Sequence, residues 1–181
     1  MDKKDQPIYI MLRDLASTNR PKSYLEIGVR DGDSLLAVLA ACSVKRLVLC
    51  DTWGDLYGGT ARGGPGHITK LMMGYSVPVD IQYLNGDSKE LVPDLDEEFD
   101  LITVDGDHSF LGCLTDMENS WKLLAVGGSM VVDDLMHPAH LYIEDCVRGF
   151  VKAHADCKLG GGSMEGHGVA VLLKEALPKE E

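Results

Sequence analysis

Six short apolar runs divide the chain: SYLEI (23–27), RLVLC (46–50), DIQYL (80–84), FDLITV (99–104), SMVV (129–132) and GVAVLL (168–173). Each has the length of a strand. The first, second, fourth and fifth are almost continuously apolar instead of alternating, as strands buried on both faces of a parallel sheet are. Between the runs the period changes to 3.6. In GCLTDMENSWKLLAVGG, Leu114, Met117, Trp121 and Leu124 share one helical face, and Gly127-Gly128 is expected to end the helix. DSLLAVLAAC (33–42) reads as a helix capped by Asp33 or Ser34, residues 139–154 as another, and Pro7 to Thr18 as an amphipathic N-terminal helix. Strands alternating with helices imply an α/β fold with a doubly wound, mostly parallel sheet. The tail CKLGGGSMEGHGVAVLLK places no helix between its two strand-like runs, so a C-terminal antiparallel hairpin is expected there. The exception is TWGDLYGGTARGGPGHI (52–68), whose six glycines and one proline are expected to keep it irregular. Its part 54–66, with Tyr57 and Arg62, is a candidate lid.

At 181 residues the chain suits one domain, spanning 1–181, with a single sizeable core. A net charge of -12 disfavours phosphate backbones and anionic lipid, so neither nucleic acid nor membrane is expected as a partner. No run approaches the roughly 18 apolar residues of a membrane span, and the first residues lack a signal-peptide pattern, which makes the cytoplasm the expected location. The five cysteines form no C-x-x-C pair and read as reduced, packed thiols.

In open α/β sheets ligands bind beyond the carboxyl ends of the strands. The first strand runs into LEIGVRDGDS, with Glu26 followed by Gly28 and Gly32 in a turn where backbone can approach a ligand. The second ends on Asp51, an acid placed to accept hydrogen bonds from both hydroxyls of a ribose. The third ends in LNGDS, where Asp87 and Ser88 either meet a base edge or cap the next helix. The fourth ends in DGDHS and the fifth in VVDDLMHP, so Asp105, Asp133 and Asp134 are expected at one rim of the sheet. Three carboxylates that close raise one another's pKa unless a cation neutralises them, and an oxygen-rich set suits Mg2+ or a similar hard divalent ion. His108, three residues past Asp105, is placed to take a proton from a hydroxyl. His137, His140, His154 and His167 read as surface or packing residues.

The segments YLEIGVRDGDS, LVLCDTW, NGDS and FDLITVDGDHSFLGCLTDMENSWKLLAVGGSMVVDD resemble successive motifs of class I S-adenosylmethionine-dependent methyltransferases. The resemblance covers roughly residues 22 to 135 and is strongest with the small-molecule O-methyltransferase branch that carries a DGDHS signature. It implies a seven-stranded Rossmann-like sheet whose last strand is antiparallel. It places Glu26, Gly28 and Gly32 around the methionine moiety, Asp51 on the ribose, and Asp87 with Ser88 near the adenine. Asp105, Asp133 and Asp134 match the acids that hold a divalent metal in the metal-dependent members, with Asp105 also beside the cofactor, and His108 matches their general base. The expected reaction moves a methyl group from S-adenosylmethionine to a hydroxyl of a small molecule, a homodimer being compatible with it. The alternatives are a nucleoside-binding module without catalysis and a metal-independent methyltransferase. Arg30 stands in the glycine turn where the family usually has a small residue. A nicotinamide oxidoreductase would need the full G-x-G-x-x-G turn and gives the acids after the fifth strand no role.

Overall fold

In a computed structural model of the chain, which describes residues 6–54, 63–75 and 77–177, the six runs are all strands and a seventh joins them. These are β1 (Ser23–Ile27), β2 (Arg46–Asp51), β3 (Asp80–Asn85), β4 (Phe99–Val104), β5 (Leu124–Asp133), β6 (Cys157–Ser163) and β7 (Val169–Lys174). The helices are α1 (Pro7–Asn19), α2 (Asp33–Ala41), α3 (Gly64–Met72), α4 (Ser88–Leu91), α5 (Phe110–Leu123) and α6 (Ile143–Ala153). One sheet takes the order β3-β2-β1-β4-β5-β7-β6. The first five strands pair in parallel, and β7 runs antiparallel to both β5 and β6, as expected of a Rossmann-like methyltransferase fold with a terminal hairpin.

The pleat explains why the central strands read as continuous apolar runs. Leu25 and Ile27 of β1 pack under α5 and α6 with Ile102, Val104, Met117 and Phe150, whereas Tyr24, on the other side of the pleat, packs with Leu47, Leu12 and Val38 under α1 and α2. Each such leucine or phenylalanine, fully buried, contributes about 1.5–3 kcal/mol.

Four expectations need correction. The helix over GCLTDMENSWKLLAVGG ends at Leu123, and Leu124 already pairs with Phe99 as the first residue of β5. Leu124 remains fully buried, so the apolar period runs across the junction and hides it from the sequence. The cap of α2 is Gly32, at φ 82°, and neither Asp33 nor Ser34; the Ser34 hydroxyl donates to Glu26 Oε1 instead. Gly64–Met72 within and beyond the glycine-rich segment is helical, because Pro65 suits a first turn and Ile68 and Met72 bury against the core. Residues 139–142 precede α6 as turns. Tyr57, Arg62 and the rest of 55–62, expected in a lid, lie outside the described residues. All five cysteines are free thiols, Cys50, Cys113 and Cys146 buried. Among the described residues no helix is long and apolar enough to cross a membrane.

Candidate active site

The strand order reverses between β1 and β4, and a cavity of about 280 Å³ opens beyond their carboxyl ends. The two chains come very close there. Gly28 N–H donates to Cys50 O at 2.9 Å and Asp105 N–H to Ile27 O at 2.9 Å. Gly28 has φ 85°, and a Cβ on it would lie 1.9 Å from the Asp105 carbonyl oxygen, so only glycine fits.

The wall of the cavity includes Gly28, Asp51, Gly86 and Ser88 at one end. Asp105, His108, Asp133 and Asp134 line the other. Glu26, Gly32 and Asp87, also expected at the ligand, are not part of that wall. Glu26 is fully buried behind it, with Oε2 unpartnered. The missing side chain of Gly32 makes room for Ile68, whose Cδ1 would stand 2.8 Å from a Cβ there. Asp87 caps α4 by accepting the Lys89 N–H at 3.0 Å. Ser88, although at the wall, donates its hydroxyl to the buried Asp116 at 2.6 Å.

Asp51 organises the nucleoside-like end. Its Oδ2 accepts Arg30 N–H at 2.7 Å and its Oδ1 accepts Trp53 N–H at 2.6 Å. Both donors are left-handed, Arg30 at φ 52° and Trp53 at φ 54°, so the carboxylate holds two strained turns in place while facing the cavity. Arg30 therefore fits its position by conformation.

At the other end, with Asp133 in the same wall, Asp105 and Asp134 converge on His108. Its Nε2 lies 3.1 Å from Asp105 Oδ1 and 3.1 Å from Asp134 Oδ2. Burial works against a charge on this ring, but the two carboxylates outweigh it and push its pKa up to about 10. Burial, then the nearby Asp105 and Asp134 charges, raises Asp133 to about 8. Burial also raises Asp105, against the pull of His108. For Asp134 burial loses to the His108 hydrogen bond and the neighbouring histidines, and its pKa falls. Asp107, the second acid of DGDHS, also lines the cavity but is held by Lys89 Nζ at 2.8 Å, and Ser109 caps α5 by accepting Gly112 N–H at 3.0 Å.

Several lining residues escaped the sequence reading. Gln6 and Tyr9 reach the cavity from α1, and His137, His140 and His167 complete its acidic wall. The spacing His137-x-x-His140 directly after two acids was the available signal. For Tyr9 there was none, because nothing local ties an N-terminal helix to a strand end. Burial, with help from Asp33, Asp105 and Asp133, raises the Tyr9 phenol to about 12.

The doubly wound sheet, with a glycine turn, Asp51 and an acidic wall at the switch point, has a Rossmann-like methyltransferase architecture. The chain belongs to the methyltransferase domain family, whose model matches residues 25–135. Similar solved structures include the O-methyltransferase TomG from Streptomyces achromogenes, involved in tomaymycin synthesis and in complex with SAM. It is 20% identical, with 93% of this chain and 79% of that chain covered and a TM-score of 0.70. The SAH-bound methyltransferase PaMTH1 from Podospora anserina is 17% identical over 93% and 78% of the two chains, with a TM-score of 0.64. An O-methyltransferase from Bacillus cereus in complex with SAH is 16% identical over 92% and 80%, with a TM-score of 0.67. At these identities the likeness is one of fold. No curated protein matches the sequence.

Proposed function

We propose that the protein is an S-adenosylmethionine-dependent O-methyltransferase acting on a hydroxyl of a small molecule. The observation that carries this reading is the single cavity that joins the Gly28–Asp51 end to the wall of Asp105, His108, Asp133 and Asp134. S-adenosylmethionine, when bound, supplies a methyl group on a sulfonium that is its own leaving group. Gly28 lets the chain approach the cofactor, and the remaining lone pairs of Asp51 are available to ribose hydroxyls. Gly86 and Ser88 form the wall at the adenine end. Alignment of an acceptor oxygen with the methyl group can contribute about 7–11 kcal/mol to the rate. A net charge of -12 argues against polyanionic acceptors. Exposed Phe110 and Leu111, just after His108, and Leu141 and Tyr142, just after His140, favour a hydroxylated acceptor with an apolar body.

By type the carboxylates of Asp105, Asp133 and Asp134 would suit a hard divalent ion such as Mg2+, but burial is the first cause of the raised pKa of Asp105 and Asp133, and the side-chain groups that lie within ligand distance of one another pair Asp134 with histidines. Such an ion would take over from the imidazolium as partner of the carboxylates and return His108 toward its ordinary range. His108 then collects the acceptor proton. Its present contacts favour a second reading, a metal-independent methyltransferase in which protonated His108 is itself the counter-ion of Asp105 and Asp134.

Calorimetric titration with S-adenosylmethionine and with NAD, followed by a screen of sugars and phenols for S-adenosylhomocysteine release, tests the proposal. Binding of S-adenosylmethionine and release with one acceptor class are expected. NAD binding in its place sinks the reading, and cofactor binding without turnover on any acceptor leaves a nucleoside-binding module. Asp105→Asn and Asp134→Asn should lower Mg2+-stimulated turnover at least about 100-fold while sparing cofactor affinity. Turnover insensitive to both Mg2+ and chelator selects the metal-independent form.

A further inference from the structure

Four of the chain's six histidines form one continuous column of rings. Ring centroids lie 4.4 Å apart from His108 to His140, 4.4 Å from His140 to His137 and 4.2 Å from His137 to His167. His137 and His140 stand between β5 and α6, and His167 on the turn between β6 and β7. Met136 N–H donates to His167 O at 2.5 Å and Leu135 N–H to Gly168 O at 3.3 Å, which ties the loop to the turn.

Such a column cannot carry a proton on every ring, because neighbouring imidazolium charges repel one another. Burial, then the charges of His108 and His137, lowers the pKa of His140. His137 Nδ1 accepts the Ala139 N–H at 3.1 Å, which orients the ring.

One carboxylate is aimed at these rings. Asp134 is 8% exposed and left-handed at φ 63°, a conformation that costs an aspartate on the order of 1 kcal/mol. It directs Oδ2 to His108 Nε2 at 3.1 Å and Oδ1 to His167 Nδ1 at 3.2 Å, so a single side chain serves both the acid pair and the column. Ligand atoms of Asp134, His137 and His167 all lie within 4.8 Å of one another. A tetrahedral ion with bonds of about 2.0–2.1 Å draws its ligands to roughly 3.4 Å apart, a closure of about 1 Å for side chains on a loop and a turn. Two imidazoles with one carboxylate suit a borderline ion such as Zn2+, whereas Mg2+ prefers oxygen alone.

We propose that Asp134, His137 and His167 bind a borderline transition-metal ion, with Zn2+ as the reference species, in a site that shares Asp134 with the acid pair occupied by His108. All three residues line the main cavity, and His167 also lines a smaller one beside Pro7 and Ile8. Three protein ligands leave a coordination position for an oxygen of a molecule bound there. The site stands whether or not methyl transfer is the activity.

Calorimetric titration of Zn2+ into the full chain, with and without a large excess of Mg2+, tests this. One Zn2+ per chain is expected, not displaced by Mg2+. His137→Ala and His167→Ala should each weaken binding at least about tenfold, the smallest loss expected when even an outer-shell partner is removed. Asp107→Asn, whose side chain pairs with Lys89, should keep the wild-type affinity. His137→Gln and His167→Gln, with melting curves for all variants, replace the alanine pair if those fold poorly. Absence of Zn2+ binding, displacement by Mg2+, unchanged affinity in the histidine variants, or weakening in Asp107→Asn overturns the proposal. S-adenosylmethionine titrated into the same proteins reads the methyltransferase function separately, since its failure to bind alongside intact Zn2+ binding defeats that function alone.

Discussion

His108 Nε2 stands 3.1 Å from Asp105 Oδ1 and 3.1 Å from Asp134 Oδ2, so one imidazole fills the gap between the ends of β4 and β5. The ring is both a counter-ion for two acids and a candidate proton acceptor, and these roles need opposite protonation states. Its Nδ1, buried and without a partner, adds nothing to hold it. The geometry makes His108 a resident cation first, and a base only after something else neutralises its carboxylates.

His108→Ala should therefore destabilise the protein by about 1–3 kcal/mol at pH 7, less than a fully buried pair because Asp105 keeps 33% of its side-chain exposure. The folded pKa, about 10, is raised above the unfolded 6.5. His108's contribution is thus whole below pH 6.5 and is lost as pH rises through about 10. Thermal melts from pH 6 to 10 should fall more steeply for the wild type than for His108→Ala. Parallel slopes would show that His108 is not protonated in the fold.

Glu26 is fully buried, and burial above all raises its pKa to about 8, against the Ser34 and Tyr24 hydrogen bonds. Between pH 4.5, where the carboxyl ordinarily titrates, and about 8, the unfolded chain releases a proton that the folded chain keeps, so stability falls as pH rises. Glu26→Gln carries no charge and can still accept the Ser34 hydroxyl. Its advantage over the wild type should be small at pH 5 and grow by on the order of 1 kcal/mol per pH unit toward pH 8. Urea unfolding at both ends of that range measures it, and a gap that ignores pH would mean that Glu26 is ionised.

Gly28→Ala places a Cβ where the Asp105 carbonyl oxygen would be 1.9 Å away, at a φ of 85°. Relief requires parting the tips of β1 and β4, the two strands that flank the switch point. The expected cost is roughly 2–4 kcal/mol, with loss of S-adenosylmethionine binding. A variant that melts like the wild type and binds the cofactor would show that the tips part freely.

The sheet was legible because its strands advertise burial on both faces, and the glycine of Gly28 and the acids at 51, 105, 133 and 134 mark strand ends by residue type alone. Boundaries were not. Leu124 satisfies the helical period of α5 and the burial of β5 alike, and only pairing with Phe99 decides between them. Of the two roles the sequence left open for Asp87 and Ser88, Asp87 takes the α4 cap, while Asp116 from α5 claims Ser88, a partner that no local pattern announces. The histidine column draws on three segments, each some thirty residues from the next in sequence and joined by the β4–β5 and β5–β7 pairings, so most of its rings read as surface residues until the sheet brings them together.

Asp51 holds the left-handed Arg30 and Trp53 amides at 2.7 and 2.6 Å, so removing it acts twice. Asp51→Ala loses any bond to ribose hydroxyls and also frees two strained turns, and each charge-assisted hydrogen bond is worth about 1.5–3 kcal/mol. Asp51→Asn keeps an oxygen but no charge, and its amide group can satisfy only one of the two N–H donors with that oxygen. S-adenosylmethionine affinity should fall at least about 100-fold in Asp51→Ala and less in Asp51→Asn, and both variants should melt below the wild type. Calorimetry on both decides the order. Equal affinities for wild type and Asp51→Ala would leave Asp51 as a turn-holding residue and move the ribose contact elsewhere in the cavity.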